Sequence, residues 1–207
     1  MSNSIIRSLQ TTFLALTLVL AAPFAMADDD NGYRYKKPPT ILDTLVATDG
    51  AQALVAAVLV VDESGVLHFS LADFFGNKRT EALLFAPSNA AFEKLLGLEP
   101  GTLNGLSIQQ VKDALPGLLP DGVGVGDVAN ILLQHVSQPR RANLWTSSEN
   151  ALLKKGEVKV ADGSVFPVGI GATGVQINYE TTIIKSDITA RNGVIQYIDT
   201  VIVDDAL

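Results

Sequence analysis

Leu83-Leu84-Phe85-Ala86-Pro87-Ser88-Asn89-Ala90-Ala91-Phe92-Glu93-Lys94-Leu95 reads as a strand, a corner and a helix in quick succession. Leu83–Ala86 is apolar without interruption, as a strand buried on both faces requires. Pro87 has no N–H to offer a ladder, and Ser88 carries a hydroxyl that can cap a helix. Phe92, Leu95 and Leu96 then share one helical side, and Gly97 ends the run. A second stretch lies about a hundred residues on: Ile184-Lys185-Ser186-Asp187-Ile188-Thr189-Ala190-Arg191-Asn192-Gly193-Val194-Ile195-Gln196-Tyr197-Ile198-Asp199. It has the form strand, turn, strand. Its Asn192-Gly193 pair predicts a tight hairpin made with positive φ angles.

Between the two stretches the periodicity changes. Before Pro139 the apolar residues follow helical spacing. Thr40 with Asp43 forms a variant capping box ahead of Ile41, Leu42 and Leu45. A second helix is predicted from Ala51 to Val60, with Leu54, Val55, Val58 and Leu59 on one stripe. Residues 62–80 are mixed, with a short helix or turn near Ser70–Phe75. Ser107 with Gln110 opens a helix that Pro116-Gly117 should close. Asp127 is read as the cap of another, whose Val128, Ile131, Leu132 and His135 share a face. After Pro139 the pattern turns to period two, with strands expected at Glu157–Ala161, Val165–Val168, Val175–Asn178, Thr182–Asp187 and Val194–Val203. Helices first and strands second is an α+β order rather than a βαβ repetition.

The ends and the composition narrow the setting. Arg7, the apolar run Phe13–Ala22 and Ala25-Met26-Ala27 together read as a secretory signal peptide cut after Ala27. Pro23 interrupts the run before it reaches the roughly 20 apolar residues of a span, so no transmembrane segment is expected in the mature chain. The expected organisation is a signal peptide over 1–27, an acidic and proline-rich disordered tail over 28–39, and one domain over 40–204. The expected location is secreted or periplasmic. Losing Arg7 with the leader takes the formal net charge from −7 to −8. An acidic chain without a basic cluster repels phosphate backbones, which excludes nucleic acid as a partner and disfavours anionic lipid. There is no cysteine, so thiol catalysis, thiolate metal sites and disulfides are excluded. Residues 28–207 suffice to bury roughly 70% of the unfolded surface in one core.

Catalytic constellations are sparse. His68 and His135 are the two histidines, and neither stands in a zinc-binding spacing. Asp28-Asp29-Asp30-Asn31-Gly32 fails the register of a calcium loop. In Gly122-Val123-Gly124-Val125-Gly126-Asp127 a carboxylate takes the place of a phosphate cradle's third glycine. No cofactor, metal or catalytic residue is therefore assigned. His135 reads first as a core histidine bonded to backbone, and second as a ligand or catalytic group paired with Asp187. Trp145, the one tryptophan, reads as a core anchor or as a platform for a sugar ring.

Four segments in order resemble the fasciclin domain family: Thr40-Ile41-Leu42-Asp43, then Leu84-Phe85-Ala86-Pro87-Ser88-Asn89, then Leu132-Leu133-Gln134-His135-Val136, then Ser186-Asp187-Ile188 with Asn192-Gly193-Val194-Ile195 and Ile198-Asp199. The resemblance covers roughly Thr40 to Val203. It implies an α+β fold, a fasciclin-like β-wedge with helices packed around it. It also implies adhesion without catalysis, to a cell-surface or matrix protein or a polysaccharide. Asp187, Ile188 and His135 match positions to which partner binding has been assigned in animal members, whereas Gln134 and Gln196 depart from the tyrosine and histidine common there. Trp145 is added as a glycan contact. Two other readings stay open: a structural envelope component acting by weak self-association, and a small-ligand or hydrolytic protein using His135 and Asp187.

Overall fold

A computed structural model of the chain describes residues 37–138 and 147–203. The expected signal peptide, the Asp28–Asp30 tail and Trp145 lie outside the described residues.

The first half is helical, and its helices begin where side chains can satisfy their free amides. Helix α1 (Ile41–Val46) starts at Thr40, whose hydroxyl accepts from Asp43 N–H while the Asp43 carboxylate accepts from Thr40 N–H. Helix α2 spans Gln52–Ser64, a turn longer than its sequence stripe predicts. Val61 continues the buried row of Leu54 and Val58. The Asp62 carboxylate then accepts the N–H groups of Leu71 and Ala72, so it starts helix α3 (Leu71–Gly76) from the helix before. Strand β1 (Ala82–Pro87) and helix α4 (Asn89–Leu95) meet at Ser88, whose hydroxyl accepts from Ala91 N–H.

Two expectations fail in the next helices. Helix α5 (Ile108–Leu118) has the Ser107–Gln110 capping box but runs through Pro116 rather than closing there. A proline's φ suits a helix, and its missing N–H removes one i→i−4 bond, which leaves the Lys112 carbonyl without that partner in the last turns. In helix α6 (Val125–Gln134) Asp127 is not the cap. Gly124 is, and the Asp127 carboxylate reaches back to Gly124 N–H at 2.8 Å.

The second half supplies the sheet: β2 (Val136–Ser137), then helix α7 (Glu149–Lys155), then β3 (Glu157–Lys159), β4 (Val165–Ile170), β5 (Val175–Ile177), β6 (Thr181–Ala190) and β7 (Gly193–Ile198). The strand order is β2-β1-β7-β6-β5-β4-β3. The two decisive stretches therefore become neighbours. β1 runs parallel to β7, with Ala82 opposite Gly193 and Pro87 opposite Ile198. The other pairings are antiparallel.

The sheet separates two cores. Ala82, Leu84, Ala86, Ile195 and Tyr197 face the helices, packed with Ile41, Leu54, Val58, Phe75 and Leu132. Leu83, Phe85, Val194 and Ile198 face the other way, against Phe166, Val168, Ile177 and Leu152. The sheet folds back on itself to enclose that second cluster. Its two edges approach each other, with Ala161 N–H donating to the Val136 carbonyl at 2.7 Å and Ser137 Oγ to the Lys159 carbonyl at 2.6 Å. Helices lie outside the wedge and strands form it, as the α+β reading expects.

Candidate partner-binding site

The β6–β7 hairpin carries Asp187 and Ile188, and its backbone is irregular there. The register slips between Ile183 and Lys185 and again between Lys185 and Ile188. Asp187 sits at φ 62, a left-handed angle that aspartate tolerates better than most side chains. What holds it is a buried amide. Gln196 Oε1 accepts from Asp187 N–H at 2.8 Å, and Gln196 Nε2 donates to Asp187 Oδ1 at 2.8 Å. The same nitrogen donates to the Ser147 carbonyl, and Gln196 is 0% exposed. Asp187 Oδ1 also accepts from Glu149 N–H, the first amide of α7. A carboxylate at that end is favoured by the helix dipole. Asp187 thus joins the hairpin to α7, and it is half-buried. Ile188 lies opposite Ile195 and packs against the helix-side core. The freely exposed side chains of this strand are Ile184, Lys185 and Thr189, with Ile184 at 55%.

His135 is elsewhere and inside. It closes α6 and is 1% exposed. Nδ1 lies 2.7 Å from the Ile131 carbonyl, and Nε2 accepts from Ile202 N–H at 2.9 Å. Burial pushes its imidazole down to about 4. Both ring nitrogens being taken, His135 has none free for Asp187, and the sequence's tentative acid–base pair is not assembled. A residue so placed acts on a partner only through what it holds. His68 is exposed on the α2–α3 connection.

A cleft of about 610 Å³ opens between β2 and β3, with Leu83, Leu152, Val158 and Val160 at its floor and Lys155 and Lys159 among its rim residues. It contains neither Asp187 nor His135. Among the described residues no cluster of His, Asp and Glu is arranged to hold a metal ion, and no helix is long and apolar enough to cross a membrane.

Sequence reasoning missed the asparagines. Asn192 is 2% exposed; its Oδ1 accepts from Ile41 N–H at 2.8 Å, and its Nδ2 donates to the Phe75 and Asn77 carbonyls. Asn89 Oδ1 accepts from Ala53 N–H, and its Nδ2 donates to Gln52 Oε1. The expected role of Asn192-Gly193 in the hairpin is corrected. Ala190 pairs with Gly193, which leaves Arg191 and Asn192 as the loop, and Asn192 has no positive φ. Gly193 is required because a Cβ there would lie 1.9 Å from the Ala82 carbonyl oxygen, at φ 156.

This arrangement of helices around a folded-over sheet is that of a known class of modules. A family model described as Fasciclin domain matches residues 66–204, two thirds of the chain, and the chain belongs to that family. The match takes in both decisive stretches and His135, while α1 and α2 precede it. Among solved structures the chain is similar to a FAS1 domain pair from the insect cell adhesion molecule fasciclin I. The TM-score is 0.59 at 15% identity, over 82% of this chain and 52% of that one. The chain thus spans about half the length of that structure. No curated protein sequence matches it.

Proposed function

We propose that the protein is an exported, non-catalytic adhesion module that recognises a cell-surface or matrix protein or a polysaccharide. The observation that carries this reading is membership of the fasciclin family over a region that includes the β6–β7 hairpin. Recognition is assigned to the outer side of β6: Asp187 and Ile188 hold the hairpin's shape, and Ile184, Lys185 and Thr189 beside them offer an exposed apolar, cationic and hydroxyl row. Trp145 is proposed as a glycan contact, and cleavage after Ala27 as the step that frees residues 28–207 as the folded module. His135 contributes through the backbone it anchors.

The test is adhesion of protein-coated beads to cells, envelope fractions and a polysaccharide panel. Saturable binding that is lost in Ile184→Ala/Lys185→Ala and kept in Trp145→Ala supports the β6 surface. Binding that is lost only in Trp145→Ala moves the contact to the glycan site. Absence of binding in every arm overturns the adhesive reading. A second reading, a structural component working by self-association, is favoured by the large exposed side chains Ile170 and Tyr179 on the β4–β6 turns. Concentration-dependent sedimentation would support it, and a strict monomer would remove it.

A further inference from the structure

The chain beyond β7 is held down by an imidazole. After Ile198 the backbone leaves the sheet, Val201 enters the helix-side core and Ile202 the inner core. The Ile202 N–H finds its acceptor in Nε2 of His135 at 2.9 Å. On the other side of the ring Nδ1 is 2.7 Å from the Ile131 carbonyl, which can only accept. Nδ1 therefore carries the hydrogen and Nε2 the lone pair, so the partners set the tautomer. Protonation would place a second N–H on Nε2, pointing at the Ile202 N–H. Two donors would then face each other without an acceptor, in a site where the ring is 1% exposed and water has no access.

Among the described residues no counter-charge relieves this. The carboxylates on the surrounding elements are engaged elsewhere: Asp62 with Leu71 and Ala72, Glu63 with Lys112, Asp127 with Gly124, Asp199 with Thr182 and Asp162 with Ser164. Strands β1 and β2 have no charged residue, and Glu157 and Lys159 of β3 line the cleft.

We propose that His135 is an acid-operated latch: uptake of one proton by its ring releases residues 199–203 from α6 and withdraws Ile202 from the inner core, while sheet and helices stay in place. The direction follows from linkage. The latched imidazole is held down to about 4 by burial, against 6.5 for a free one. Latching is therefore complete above 6.5 and weakens as pH falls from 6.5 toward 4. The opening equilibrium rises by about 30-fold at pH 5 and by no more than on the order of 300-fold below pH 4.

Amide hydrogen exchange followed by NMR on the protein tests this, with protection factors corrected for the intrinsic rate at each pH. From pH 7.5 to 5.0 the protection of Ile202 should fall about 30-fold while staying well below that of Leu84 and Ile195, in the middle of the sheet, which exchange only through global unfolding. In His135→Gln the side-chain oxygen accepts at any pH, so the Ile202 profile should flatten. If that variant does not fold, the wild-type profile decides alone. An Ile202 protection factor independent of pH overturns the latch. So does an Ile202 protection factor equal to those of Leu84 and Ile195 at each pH, which would mean that Ile202 exchanges by global unfolding instead of local release.

Discussion

Asn192 occupies a loop position yet behaves as a core residue. Its amide satisfies the first N–H of α1 and two carbonyls at the end of α3. Removing it leaves those three groups buried with no partner, at about 1–3 kcal/mol for each that water cannot reach. Asn192→Ala should therefore lower unfolding free energy by about 2–4 kcal/mol, read from urea denaturation. Its neighbour is less forgiving. Gly193→Ala would drive a methyl into the Ala82 carbonyl, a backbone atom that cannot move without breaking the β1–β7 register. We expect no cooperative thermal transition for that variant by circular dichroism. At Asp187 geometry and charge can be separated. Asp187→Asn keeps an oxygen for Glu149 N–H and tolerates the left-handed backbone; Asp187→Ala keeps neither. The alanine variant should melt lower than the asparagine variant. An adhesion defect in Asp187→Ala is thus informative only beside its melting curve.

Helix α2 takes its N-terminal cap from another element. Its own cap residue, Ala51, has no side-chain acceptor. Asn89, from the first turn of α4, accepts the Ala53 N–H in its place, and Asn89 N–H donates to the Gly50 carbonyl. Asn89→Ala should cost about 1–2 kcal/mol, as the loss of a helix cap does, and the exchange protection lost first should be at Ala53. Glu93 does the same for the turn that follows α4. Its buried carboxylate accepts from the N–H groups of Gly101 and Leu103, each at 2.8 Å. The capping boxes at Thr40 and Ser107 were legible in the sequence because cap and partner are three residues apart. The extra turn of α2 was not, because its stabilising contacts are Val61 in the core and Asp62 on α3.

At the scale of the molecule, His135 should make stability fall toward acid. Its folded basicity lies below the free value, so the contribution is whole above 6.5 and is lost by about 4. The melting temperature should drop between pH 7 and 4.5 in the wild type and less in His135→Gln, measured by calorimetry. Asp43 acts in a different window. Its carboxyl is held below the ordinary 3.8 by the Thr40 hydroxyl, then by the Thr40 amide, so its share is intact at neutral pH and lost only in stronger acid. A drop centred near the usual carboxylate range, with none above pH 5, would show that His135 has no part in it.

Read alone, the chain determined what depends on near neighbours. The caps at Thr40, Ser88 and Ser107, the uninterrupted Leu83–Ala86 strand, and the passage from helical to alternating periodicity all rest on residues a few positions apart. They defined an α+β fold and, with the four matched segments, its family. What only the tertiary structure decided lies between groups distant in sequence. Gly193 is a glycine because β1 passes beside it, at a φ of 156 that side-chain-bearing residues rarely adopt. Asn192 serves α1 and α3, Gln196 holds Asp187 in a left-handed turn, and His135 receives the amide of Ile202. No spacing rule encodes such contacts, since each is made only when the fold has brought a buried polar group to the one partner that can satisfy it.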